Sequence, residues 1–295
     1  TQGKELPGVL GATEPKENAA DMKTTGWELT VGYRDQFQLE GKPFDWGVKF
    51  MLSDNRSYIT KFDNENKLLS QYYKGQELGE IWGLQSDGFF QNAEEIKNLD
   101  ETEIIPWGAL DIVAGWPKYK DLNGDKIIDG RDVKELGNSF PRTTLGIDFS
   151  VSYKGWGLYL QGYSELGVHT WATNAYYWNN GEGKYSKLAL DRYHPANNPT
   201  GSYPRPTTTA GENNFRNSSF WLKNTSFFRM KNVELSYTFN QFSPSSVVKK
   251  MKVFARGANL FVLSSVKDLD PELLNAGVTN YPVTRTFTGG VSFVF

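Results

Sequence analysis

Oxygen-bearing side chains are most concentrated in the stretch DLNGDKIIDGRD, from Asp121 to Asp132. Donors recur at Asp121, Asn123, Asp125, Asp129 and Asp132, with the Ile127 carbonyl between them. Ca2+ is a hard ion that takes roughly six to eight oxygens, and this alternating spacing, closed by an acid at the twelfth position, wraps them around one ion. One position departs from the pattern. Lys126 stands where glycine ordinarily makes the sharp turn, and it adds a positive charge. An Asx-rich turn without metal uses the same residues, so both readings stand here. In either one the role is structural: Ca2+ would stiffen the segment, not catalyse.

A second cluster, Trp171, Tyr176, Tyr177 and Trp178, is aromatic. Aromatic faces stack on sugar rings and pack against peptides, so these four are candidate substrate contacts. Packing within their own segment is the competing role. Catalytic arrangements are poor. The two histidines, His169 and His194, fall in the same irregular region, and no Gly-x-Ser-x-Gly elbow frames a serine. Gly181-Glu-Gly-Lys lacks the residues and strand–helix setting of a phosphate loop. Glu94 and Glu95 read as the first turn of a short helix capped by Asn92, not as an acid/base pair. A helical turn is expected from Lys187 to Tyr193. The chain is not expected to be an enzyme.

The elements that position these segments are strands. Period-two alternation recurs seven times. Trp27, Leu29, Val31 and Tyr33 alternate with polar residues, then Phe44 to Leu52, Leu145 to Tyr153 and, after a tight turn at Lys154-Gly155, Trp156 to Tyr163. The fifth runs from Val233 to Phe239. The sixth, Met251 to Leu263, blurs at Asn259-Leu260, and the seventh runs from Val283 to Phe295. Most reach about ten residues, the length that crosses a bilayer when tilted. Connections after odd strands are short: Gln38 to Pro43, Lys154-Gly155, Asn240 to Val248. Those after even strands are long: Asp63 to Arg142, Gly167 to Ser219, Ser265 to Pro282. This alternation is the mark of an outer-membrane β-barrel with tight periplasmic turns and long extracellular loops. Aromatics near strand ends (Trp27, Tyr33, Phe44, Trp46, Tyr153, Trp156, Tyr237, Phe295) suit interfacial girdles.

Composition agrees. Of 295 residues, 15% are aromatic, yet the mean hydropathy is -0.54, because lipid-facing and lumen-facing residues average out. No apolar run has the ~20 residues of a membrane helix. A net charge of -2 gives no basic face for nucleic acid, and the absence of Cys excludes disulfides and thiolate metal sites. A soluble glycan-binding β-sandwich also alternates, but it does not require every second connection to be long. Seven strands leave open edges, and each unpaired backbone group in hydrocarbon costs several kcal/mol. Further strands are therefore expected from sequence upstream of Thr1 or from another chain, beside both Trp27–Asp35 and Val283–Phe295.

Particular motifs sharpen this reading: GWELTVGYR from Gly26, GEIWGLQSDGFFQN from Gly79, YKDLNGDKIIDGRD from Tyr119, SFFRMKNVELSYTF from Ser226, ANLFVLS from Ala258, LDPE from Leu269 and the terminal GGVSFVF. In this order and spacing the chain resembles the C-terminal part of SusC/RagA-like TonB-dependent transporters over residues 1–295. The resemblance implies an all-β, antiparallel transmembrane barrel of about 22 strands, with this chain supplying about seven. It also implies a plug domain and TonB box upstream, and a SusD-like lipoprotein lid. The activity implied is TonB-driven import of oligosaccharides or peptides across the outer membrane. The terminal Phe295 fits the aromatic end by which barrel-assembly machinery recognises its clients.

Overall fold

The computed structural model describes residues 2–3, 16–17, 20–98, 112–181, 183–207, 214–239 and 247–295. Seven strands, numbered here β1 to β7, form one antiparallel sheet: β1 Asp21–Leu39, β2 Lys42–Lys61, β3 Thr143–Tyr153, β4 Trp156–Leu166, β5 Phe227–Phe239, β6 Lys250–Ser264 and β7 Thr286–Val294. Each pairs with its predecessor, so the order in the sheet is the order in the chain. All seven expected strands are present.

The register aligns the alternation of neighbouring strands. One line across the sheet reads Tyr33, Val48, Phe149, Leu160, Val233, Gly257 and Phe287. The next residue along each strand gives Arg34, Gly47, Ser150, Tyr159, Glu234, Arg256 and Thr288 along the opposite line. Because side chains alternate between faces, one face is apolar and the other polar across all seven strands. The apolar band on β3, Leu145 to Tyr153, extends on the order of 27 Å along the strand, the scale of a membrane barrel's outer band.

Among the described residues nothing covers that apolar face. Val31, Phe50 and Leu235 remain 53%, 46% and 48% exposed, and the other sheets among the described residues are two-stranded. A sandwich would bury these residues against a second sheet, so the soluble alternative is set aside. At the short-turn end the same face carries a row of rings: Phe37 on Phe44 at 4.9 Å, Phe44 near Tyr153 at 5.7 Å, Trp156 near Tyr237 at 5.0 Å, and Tyr237 near Phe239 at 4.7 Å. Amphipathic Tyr and Trp at one level suit a membrane–water boundary.

The polar face is stitched across strands. Glu234 accepts from Lys252 Nζ at 2.7 Å and Arg256 Nε at 2.9 Å, and Asn232 donates to Gln161 at 2.7 Å. Ser53 and Thr144 hydroxyls meet at 2.6 Å.

Two tight turns close at Glu40-Gly41 and Lys154-Gly155, where all four residues have positive φ: 52° and 72°, then 49° and 85°. This is the two-residue hairpin whose twist matches the strands. The first link is therefore two residues, not Gln38 to Pro43. The third falls partly in 240–246, outside the described residues.

Several strands differ from expectation: β3 and β5 begin earlier, at Thr143 and Phe227, and β4 runs on to Leu166. β1 and β2 run to 19 and 20 residues, well past the apolar stretch, because ladder hydrogen bonds continue through polar pairs such as Thr24–Ser57 that carry no hydrophobic period. β7 begins at Thr286 instead of Val283. The blur in β6 is a bulge: Met230 pairs with Phe261 but Asn232 with Ala258, which puts one extra residue on β6, with Asn259 at φ 54°. Asn is among the few residues that tolerate this left-handed conformation, and the bulge interrupts the alternation.

Candidate functional site: the loop platform

The long connections after β2, β4 and β6 pack into one body on the sheet's open-loop end. Within the first, Glu80–Leu84 pairs with Val133–Asn138. In the second, His169–Trp171 pairs with Leu222–Asn224, so that connection extends beyond Ser219 to the start of β5. Backbone bonds join these two: Leu84 N donates to Asn217 O at 3.0 Å, Ser219 N to Leu84 O at 2.9 Å, and Arg205 N to Gly115 O at 2.9 Å. The Tyr193 hydroxyl donates to Gln91 O. The third connection is held by Asn174 Nδ2 donating to Leu274 O at 2.7 Å and by Lys187–Asp268 at 3.2 Å.

Of the aromatic cluster predicted for substrate, Tyr177 lies in the buried core of this body and the other three pack against it. Ala172, Tyr177, Tyr203, Phe215, Trp221 and Leu274 form a buried core, with Trp171, Tyr176 and Trp178 packed against it. Trp178 sits 5.5 Å from Phe215 and 6.3 Å from Trp221. The Trp221 indole donates to Asn214 O at 2.8 Å, and the Tyr203 hydroxyl donates to Tyr177 O at 2.7 Å. Tyr177 is 4% exposed, and burial pushes its hydroxyl up to about 12. A ring so enclosed packs its own loop. Trp171, Tyr176 and Trp178 stay half-buried at the margin. Their partners Tyr203, Phe215, Trp221 and Leu274 escaped sequence reasoning, because irregular loops have no period to read.

The Asp121–Asp132 segment is well formed. Lys126 adopts φ 66°, making the sharp turn despite its side chain. Asp121 accepts from Gly124 N at 2.7 Å and Lys126 N at 2.8 Å; Asn123 accepts from Asp125 N at 2.8 Å, and Asp125 from Ile127 N at 3.0 Å. Asp132, fully buried, accepts from Leu122 N at 2.8 Å and Asp129 N at 2.9 Å. The Arg131 guanidinium lies 2.7 Å from both Asp125 and Asp129, and its hydrogen bonds hold the Asp129 carboxyl below the usual range. Among the described residues no three acidic or histidine side chains converge to hold a metal ion. As folded, the donor set does not fit a Ca2+ cage: its carboxylates are committed to amide N–H groups and to an internal cation.

Asn92 caps the helix Ala93–Lys97, accepting from Glu95 N at 2.7 Å. The expected helical turn is a 3-10 segment, Lys187–Asp191, capped by Ser186 and ending two residues short of Tyr193. His169 and His194 lie on separate segments: the first pairs with Asn224, and the second accepts from Ala196 N and Asn197 N at 3.2 and 3.1 Å.

On the polar side of the wall, Arg229 of β5 is buried and donates to Asp270 at 2.6 and 2.7 Å, with Glu272 at 2.6 Å. The Tyr163 hydroxyl also donates to Glu272. The motifs SFFRMKNVELSYTF and LDPE thus meet in space.

A meandering antiparallel sheet with an uncovered apolar face, an aromatic row at its turn end and a packed loop platform at the other defines a section of membrane β-barrel wall. The comparisons with known proteins agree. No family model matches. The chain is 26% identical to TonB-dependent receptor P26 of Formosa agariphila, over 98% of its own length and 31% of the receptor's. It is 21% identical to TonB-dependent receptor SusC of Bacteroides thetaiotaomicron, over 95% of its length and 27% of that protein's. Its fold matches a chain of the RagAB peptide transporter with a TM-score of 0.70 and 18% identity, over 99% of this chain and 31% of the other. The "open-open" RagAB peptide importer gives 0.70 and 19%, over 98% and 30%. The likeness to SusC/RagA-like TonB-dependent receptors therefore holds along nearly all of the chain, which spans about 31% of the first of these relatives. These relatives are receptors and transporters, not enzymes.

Proposed function

We propose that this chain forms wall strands and outer loops of a TonB-dependent importer in the bacterial outer membrane, taking up oligosaccharides or peptides with a SusD-like lipoprotein as lid. The observation that carries the proposal is the apolar face continuous across seven strands and uncovered among the described residues, which a lipid phase satisfies. The outer edges of β1 and β7 have no strand partner among the described residues. In hydrocarbon they need one, so further barrel strands, with a plug inside them, complete the wall. The names of the relatives support TonB as the energy source, and the RagAB peptide transporter supports peptide as a candidate cargo.

The test is uptake by cells that carry the complete receptor. Deleting its gene, or disabling TonB, should abolish growth on either an oligosaccharide mixture or a peptide mixture as sole carbon source. Growth unaffected on both would remove the import reading.

A further inference from the structure

Between the second and third long connections lies a cavity of about 580 Å3, walled by Tyr177, Tyr203, Phe220 and Trp221 and by the segments Lys187–Asp191 and 265–268. We propose that this cavity is a binding subsite for a carboxylate-bearing group of the cargo, recognised by Lys223. The carboxylate belongs to an acidic sugar or to a peptide; the chemistry at Lys223 is the same.

The case rests on which charges in the cavity are already answered. Asp191 accepts from Ser202 N at 3.1 Å and Asn198 Nδ2 at 3.1 Å, and from the Ser202 hydroxyl at 2.5 Å. Asp268 is paired with Lys187 at 3.2 Å. Lys223 differs. Its ammonium has only the Phe220 carbonyl at 3.4 Å and the Phe220 ring at 5.7 Å, with no carboxylate in ion-pair range among the described residues. It stands on the short strand Leu222–Asn224, half-buried, where backbone pairing to His169–Trp171 fixes its position. Desolvation pulls its proton affinity down, with Asp268 only partly offsetting it. A partly desolvated cation without an ion-pair partner gains most from an incoming anion, because neutralisation also relieves its own desolvation. The neighbouring aromatic wall offers a face to a pyranose ring or an apolar side chain attached to that anion.

The ligand class deepens the import reading and rests on it, but binding at Lys223 is measured without transport. Detergent-solubilised full-length receptor is titrated calorimetrically with two matched pairs: a glucuronate-containing disaccharide against its glucose counterpart, and an N-acetyl dipeptide acid against its amide. The expected result is that at least one carboxylate form binds ten-fold or more tighter than its neutral partner. Lys223→Met should erase that preference, and Lys223→Arg should keep it. Which pair shows the preference identifies the source. Lys223→Met removes a desolvated charge and keeps the apolar stem, so its melting temperature, measured alongside, should not fall. No preference in either pair, or one that survives Lys223→Met, overturns the subsite. Uptake retained with no preference removes only the subsite; uptake lost on gene deletion leaves the import reading intact.

Discussion

Arg229 and Asp270 lie 41 residues apart in sequence and meet in a hydrogen bond of 2.6 Å. The arginine is on the polar side of the wall and the aspartate in the connection after β6, so this contact ties the last long loop to the strand beneath it. Glu272, two residues on, reaches the same guanidinium and takes the Tyr163 hydroxyl from β4. Two motifs that the sequence presents separately are thereby one anchor.

Removing that anchor should loosen the loop and not the wall. Arg229→Ala leaves two carboxylates facing each other without a cation, at a cost on the order of 3 kcal/mol, reduced by the solvent both acids retain. Limited proteolysis should then cut within 265–285 at protease levels the wild type resists. Arg229→Lys should rescue only partly, since one ammonium replaces a planar fork.

Trp221 is the keystone of the loop core, touched by Trp178, Tyr203, Phe215 and Phe220. Trp221→Ala should cost about 3–5 kcal/mol, felt as faster amide exchange across 169–224. Exchange in the wall strands should stay as slow as before. Uniform loss of protection across sheet and loops would contradict separate loop and wall cores.

The two faces of β3 differ by one residue. Phe149→Lys points a charge into lipid and should cost roughly 2–4 kcal/mol at mid-depth, seen as failed assembly into vesicles. Ser150→Lys points into the polar side and should assemble normally. Equal behaviour of the two variants would refute the assignment of faces.

Tyr177 makes the loop core sensitive to alkali. Burial raises its hydroxyl from the ordinary tyrosine value near 10 to about 12 when folded. Between those values the unfolded chain releases the proton and the folded chain keeps it, so stability falls as pH rises. Below pH 10 the contribution is complete. Melting temperature should decline from pH 10 to 12, and Tyr177→Phe should flatten that decline.

Arg131 acts as the cation of the Asp121–Asp132 turn. Arg131→Ala should increase protease cutting in that segment. Adding Ca2+ to the wild type should leave its melting unchanged, because the guanidinium already answers Asp125 and Asp129. A rise in melting temperature that a chelator reverses would put the ion back in the loop.

How far the fold could be read in advance follows from where lipid acts. Along Leu145 to Tyr153 hydrocarbon demands an apolar side chain at every second position, so the alternation was legible and the strand began only two residues earlier, at Thr143. Beyond the band, in the upper parts of β1 and β2, polar residues occupy both faces and leave the ladder unannounced.

Local chemistry alone determined the seven strands, the hairpin turn at Lys154-Gly155, the Asn92 cap and the turn-rich Asp121–Asp132 stretch, since each depends on residues adjacent in the chain. Tertiary structure decided the rest. It placed Tyr177 inside the loop core and not on its surface, joined Arg229 to LDPE, put Arg131 between two aspartates and left Lys223 with no carboxylate in ion-pair range among the described residues. Those outcomes depend on which distant segments pack together once the strands align, and short-range spacing carries no record of that.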